Sequence, residues 1–170
     1  LHLAVPQFKK LDLVQDSMGM PHLQAIYQHW RPRGAKQWED QFSDGTLRLI
    51  GFLWALLDGN KPVLLEEPEL SLHTAIVSRL AEIIASLQKK KSGMRQVLLS
   101  THSFDLLHNK GIQGEETVLL IPQNEGTEVK LASSDREIQC LLETGMSVAE
   151  SVIALTAPEN VEQLSFEFSR

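Results

Sequence analysis

The sequence predicts an α/β fold, a parallel βαβ core with flanking antiparallel hairpins, and three observations predict it. Two short apolar runs, Pro62-Val63-Leu64-Leu65 and Val97-Leu98-Leu99, have the uninterrupted character of strands covered on both faces. Between them Leu72, Ile76, Leu80, Ile83, Ile84 and Leu87 recur at three and four residues. That spacing predicts one amphipathic helix from Leu72 to Lys91, stopped by Gly93. Before and after this unit, alternating segments read as hairpins.

In chain order, Phe8 to Val14 and His22 to Trp30 form the first predicted hairpin, turning at Ser17-Met18-Gly19. The stretch from Arg31 to Gln41 has no periodicity and reads as a polar loop. Ser43-Asp44-Gly45 then starts an apolar segment, Leu47 to Leu57, long enough for a buried helix that Asp58-Gly59-Asn60 ends. After the central unit, Ser100-Thr101-His102-Ser103 leads into a short helix through Leu107. Thr117 to Ile121 and Thr127 to Leu131 predict a second hairpin around Asn124-Glu125-Gly126. Short helices follow near Asp135 to Leu142 and Ser147 to Leu155, and the last residues read as a tail or a strand.

At 170 residues and 42% hydrophobic, the chain suffices for a single domain with its own core. Within it we expect a hairpin and loop over 1–41, a core over 42–109 and a terminal hairpin with helices over 110–170. The lone Cys140 excludes an internal disulfide and a cysteine-rich metal site, which fits a reducing, cytoplasmic setting. No apolar run approaches the roughly 18 residues of a membrane span. The longest is broken by Arg48 and Gly51, so no membrane association is expected. A net charge of -6 argues against a domain-wide basic surface for nucleic acid. The Lys89-Lys90-Lys91 cluster suits a solvated helix end. The opening Leu1-His2-Leu3 resembles neither a signal peptide nor a natural start, and the sequence reads as a fragment.

Right-handed βαβ connection places the ends of the two core strands, Glu66-Glu67 and Thr101-His102, on one edge of the sheet, where α/β sheets bind ligands. Adjacent carboxylates at a strand end repel in low dielectric, and Mg²⁺ with phosphate oxygens and water compensates them directly. A charged loop turning into solvent is the plainer alternative. His102 at the neighbouring strand end could bond a phosphate oxygen or orient a water, or it could simply be a packed or solvent-facing histidine beside a Ser103 helix cap. Ser43-Asp44-Gly45-Thr46 is equally two-sided. It is an ordinary N-cap, and it is also an anion site made of free N–H groups, a hydroxyl and the helix dipole.

Taken together, Phe42-Ser43-Asp44-Gly45-Thr46-Leu47-Arg48, then Val63-Leu64-Leu65-Glu66-Glu67-Pro68-Glu69, Leu70-Ser71-Leu72-His73 and Ser100-Thr101-His102-Ser103 resemble, in order and spacing, four motifs of an ATP-binding-cassette (ABC) head. These are its signature, Walker B, D-loop and H-loop. The resemblance covers Phe42 to Leu107 and is closest to AAA-family ATPases of the overcoming-lysogenization-defect (OLD) and RecF/SMC-like group. It implies the carboxy-terminal part of an ABC-type P-loop ATPase head that binds ATP and Mg²⁺. Glu66 would stand at the metal, Glu67 at the catalytic base and His102 at the γ-phosphate switch. Ser43, Asp44, Gly45 and Thr46, with Ser71 and His73 of the D-loop, would face ATP across a head-to-tail homodimer. The implied role is ATP hydrolysis in DNA repair or phage defence. The alternative is a non-enzymatic, ATP-gated clamp or scaffold that recruits a DNA or nuclease partner.

Four departures accompany the match. No Gly-x-x-x-x-Gly-Lys-Ser/Thr phosphate loop occurs in the 170 residues, and no Q-loop glutamine can be placed. Glu66 stands where the family commonly has aspartate. His73 replaces the aspartate common in transporter D-loops. A nuclease in its own right finds no metal cluster here beyond Glu66-Glu67.

Overall fold

The structure is a computed structural model that describes residues 5–6, 8–28, 34–90 and 95–156. The expected strand end at Trp30, the helix stop at Gly93 and the carboxy-terminal tail lie outside them. The chain divides into two compact units, Leu1–Val77 with Ile83–Thr101, and Ser78–Glu82 with His102–Arg170.

The first unit opens with β1 (Phe8–Gln15) and β2 (Pro21–Tyr27), an antiparallel hairpin. Its turn is built by Asp16, whose carboxylate accepts the N–H groups of Met18 and Met20, both at 2.8 Å, and by Gly19 at φ +82°. The stretch read as a polar loop contains a third strand, β3 (Ala35–Trp38), paired antiparallel with β2 from Gln24↔Trp38 to Tyr27↔Ala35. Four residues carry too little alternation to announce a strand. Here pairing to an existing edge determines the conformation.

Phe8, Ala25 and Phe42 form the core of this sheet. Phe8 meets Tyr27 edge-on at 4.5 Å and Phe42 at 5.5 Å between ring centroids. On the same unit His22 Nδ1 bonds Glu39 Oε1 at 2.6 Å, and its Nε2 lies 3.6 Å from Asp16. The Glu39 hydrogen bond holds the imidazole above its ordinary 6.5. The same bond holds Glu39 below 4.5, and the Met20 N–H, with His22, holds Asp16 below 3.8. The histidine's contribution is fully present below pH 6.5 and is lost as pH rises through its folded value. The carboxylates contribute above 4.5 and 3.8, and lose that contribution as pH falls through their folded values. This cluster should therefore stabilise most between pH 4.5 and 6.5. Thermal unfolding from pH 6 to 8 should show a loss of stability that His22→Gln abolishes. An unchanged slope in that variant would remove His22 as its source.

Helix α1 (Asp44–Leu57) is capped by Ser43, whose Oγ accepts the Thr46 N–H at 3.3 Å. It buries Thr46, Leu49, Phe52 and Leu56, whereas Trp54 is 69% exposed and Leu57 55%. The helix is thus one-sided rather than buried all round. Buried Arg95 donates to carbonyls at and just past the helix's carboxy-terminal end, those of Ala55 and Asp58 and, at 3.2 Å, Gly59.

Strands β4 (Val63–Glu66) and β5 (Val97–Ser100) pair in parallel, Val63↔Val97 through Glu66↔Ser100. This is the expected core. The expectation of burial on both faces fails. Leu64 and its partner Leu98 share a face, and are 79% and 47% exposed.

The single helix expected over Leu72–Lys91 is two, α2 (Thr74–Val77) and α3 (Leu80–Lys90). Between them the Ser78 carbonyl accepts from the Asn109 side chain at 2.8 Å. Apolar periodicity continues across such a break, so the pattern alone conceals it.

In the second unit α4 (Phe104–Leu107) is capped by Ser103. The predicted hairpin is β6 (Val118–Gln123) with β7 (Gly126–Leu131). Helices α5 (Arg136–Glu143) and α6 (Val148–Thr156) follow, the first capped by Asp135. Leu119, Ala132, Ile138, Val148 and Val152 form this unit's core.

Candidate functional site

The site begins where β4 ends. Glu66 lies level with Ser100 of β5, and the Glu67 N–H extends the ladder by one bond, donating to the Ser100 carbonyl at 3.0 Å. The Glu66 side chain is exposed and Glu67 is half-buried. Beyond them the chain turns tightly, with Leu70 N–H on the Glu67 carbonyl at 3.2 Å and Leu72 N–H on the Glu69 carbonyl at 3.0 Å. Two non-glycine residues of this turn have positive φ, Glu67 at +41° and Ser71 at +61°. Such conformations cost about 1–3 kcal/mol each and persist only where the surroundings enforce them.

Pro68 and Glu69 are buried under the turn. The Thr101 hydroxyl, one residue past β5, donates to Glu69 Oε1. His73 closes the turn as a local cap, its Nδ1 accepting the Ala75 N–H at 3.1 Å.

The amino-terminal end of α1 packs on the same turn. Phe42 anchors it in the aromatic core, and Ser43 Oγ lies 2.9 Å from Thr46 Oγ1. Gly45 meets the Ser71 backbone so closely that a Cβ there would lie 2.3 Å from the Ser71 carbonyl oxygen. Glycine is required by this approach rather than by a positive φ. Gly45→Ala should force the two backbones apart and destabilise the first unit by about 1–3 kcal/mol, the usual cost of overpacking. Urea unfolding measures it, and a change below about 0.5 kcal/mol would show that the turn yields freely.

One compact unit therefore holds Ser43, Asp44, Gly45, Thr46, Glu66, Glu67, Ser71 and His73. Direct contact joins the Gly45 end of α1 to Ser71, and the ladder joins Glu66 and Glu67 to the end of β5. His102 belongs to the second unit, where it is exposed just before α4.

Chemically, Glu66 is exposed and Glu67 half-buried, two carboxylates adjacent in sequence at the end of β4. That suits Mg²⁺, which takes one or two carboxylates and completes its shell with phosphate oxygens and water. Among the described residues no group of three or more His, Cys, Asp or Glu could hold a metal ion, so a closed protein cage has no donors here. Arg48, Phe52 and Leu65 line a shallow depression that also reaches Glu66 and Pro68, joining α1 to the acidic strand end.

Two residues escaped sequence reasoning. Arg95 gives no periodic or motif signal, because its partners lie 36 to 40 positions away. Glu69 stands inside a quoted motif, but its partner is 32 positions distant.

Among the described residues no helix is long and apolar enough to cross a membrane. A search of curated proteins finds no match to this chain. Among solved structures, the chain resembles one described as "Structural biochemistry of ATP-driven dimerization and DNA stimulated activation of SMC ATPases". The TM-score is 0.55 at 14% identity, with 82% of this chain and 83% of that chain covered. At that identity the likeness is one of fold alone. The family model for "AAA domain, putative AbiEii toxin, Type IV TA system" matches residues 3–108, more than half of the sequence, and the chain belongs to that family.

Proposed function

We propose that this chain is the carboxy-terminal part of an ABC-type head of the OLD/RecF/SMC-like group, whose parent hydrolyses ATP between two heads arranged head to tail. The observation that carries the reading is the backbone contact between Gly45 and Ser71 in the unit that also holds Glu66 and Glu67. It packs the capped start of a 14-residue helix against the turn that leaves the acidic strand.

On this reading Glu67 accepts a hydrogen bond from the attacking water and takes its proton, and Glu66 holds Mg²⁺. The ion would supply charge neutralisation at the β- and γ-phosphates. His102 bonds a γ-phosphate oxygen. Ser43, the N–H groups at the start of α1, Ser71 and His73 address the triphosphate of the opposite head, where the helix dipole favours negative charge. The phosphate loop must come from a part of the parent that these 170 residues do not contain. DNA or a nuclease is the partner that hydrolysis would regulate, in DNA repair or phage defence. The similar solved structure, whose description names ATP-driven dimerisation and stimulation by DNA, supports that direction.

Ser43→Arg in the parent tests the trans arrangement. Bulk and charge would stand where a partner's phosphate docks, so ATP-induced dimerisation should fall at least tenfold while monomer affinity for ATP changes by less than about threefold, a shift under 1 kcal/mol. Sedimentation with and without ATP measures the first and fluorescent-nucleotide titration the second. Dimerisation equal to that of the unsubstituted protein would reduce Ser43 to a helix cap.

A further inference from the structure

The buried carboxylate of Glu69 has no part in the chemistry assigned above, although it lies two residues from Glu67. It is 8% exposed, and among the described residues its Oε2 is enclosed without a hydrogen-bond partner. Its Oε1 accepts from the Thr101 hydroxyl. A polar group enclosed this fully is costly and is rarely retained without a positional reason.

That reason lies in the turn. Glu67 and Ser71 both hold positive φ without being glycine, and strained backbone of this kind relaxes unless something holds it. The Glu67 and Ser100 backbones are tied at one end of the turn, and Gly45 presses on Ser71 at the other. Glu69 stands midway, and its bond to Thr101 is a side-chain link from the middle of the turn to the end of β5. Thr101 directly follows Ser100, the last residue of β5.

We propose that Glu69 is a positioning residue: anchored on Thr101, it holds the strained turn so that Glu67 is presented in its reactive conformation. The inference rests on the reading of Glu67 as the base that activates water. Misplacement of a catalytic group by about 1 Å costs on the order of 10²-fold in rate, so loosening the turn should appear in kcat rather than in ATP affinity.

The test uses the parent protein with MgATP and the variants Thr101→Val, Thr101→Ser and Glu69→Gln. Thr101→Val keeps the shape and removes the donor, and kcat should fall at least tenfold with KM within about threefold. Thr101→Ser, which keeps the hydroxyl, should restore kcat to within about threefold of the original. Glu69→Gln, which keeps an acceptor oxygen, should do the same. Thr101→Val and Glu69→Gln preserve volume, Thr101→Ser loses one methyl group, and circular dichroism melting confirms that each protein folds. A normal kcat in Thr101→Val, an effect confined to KM, or equal losses in the Val and Ser variants would overturn the proposal and leave the ATPase reading intact. Absence of hydrolysis by the unsubstituted parent would overturn the ATPase reading and this inference together.

Discussion

Glu67→Gln in the parent protein is expected to lower ATP turnover by about 10²- to 10⁴-fold, the usual loss when a general base is removed. The amide keeps the size of the side chain and its ability to accept a hydrogen bond, but it cannot take a proton from water. Glu67 is half-buried, and its backbone N–H is fixed on the Ser100 carbonyl at 3.0 Å, so the exchange should leave the turn in place. ATP binding and ATP-induced dimerisation should therefore survive, and the dimer should persist longer because the event that opens it is blocked. Single-turnover hydrolysis separates these steps. Turnover within threefold of the original would remove Glu67 from the chemistry.

Much of the fold was legible because each signal was local. Apolar runs ending in Glu66 and Ser100 specified two strands, though not their one-sided exposure, and the helical spacing between them specified a parallel crossover. Ser17-Met18-Gly19 marked the first hairpin's turn, where Gly19 has φ +82°, and Ser43 and Ser103 marked helix starts by capping. What escaped depended on partners distant in sequence. Strand β3 exists because the β2 edge recruits Ala35–Trp38. The break between α2 and α3 occurs where the Asn109 side chain takes the Ser78 carbonyl. Arg95 and Glu69 serve groups more than 30 positions away.

The candidate site divides in the same way. Residue types and order pointed to Ser43–Thr46, Glu66, Glu67, Ser71 and His73, which one compact unit holds. No pattern could show that Gly45 is glycine because the Ser71 carbonyl leaves no room for a Cβ.

The 170-residue chain alone is expected neither to hydrolyse ATP nor to bind it tightly. A triphosphate is held in P-loop enzymes by successive backbone N–H groups and a lysine, and none of that motif is present in this sequence. On the proposed reading, a carboxylate acting through Mg²⁺ would be left to face the triphosphate without a phosphate loop, and most of the nucleotide charge would stay uncompensated. The start of α1 offers N–H groups to an anion, but in the proposed arrangement it meets ATP already seated on another head. Loss of the phosphate loop should weaken affinity at least a hundredfold, an energy of about 2.7 kcal/mol.

Calorimetric titration of MgATP tests the account most directly, performed on this chain alone and on the chain joined to, or mixed with, the part of the parent that carries the phosphate loop. No binding below about 1 mM is expected for the chain alone, a standard free energy no better than about -4.1 kcal/mol, and micromolar binding with hydrolysis is expected once the loop is supplied. Micromolar binding by the chain alone would contradict it, because the nucleotide would then occupy a site other than the one built from Glu66, Glu67 and a supplied phosphate loop.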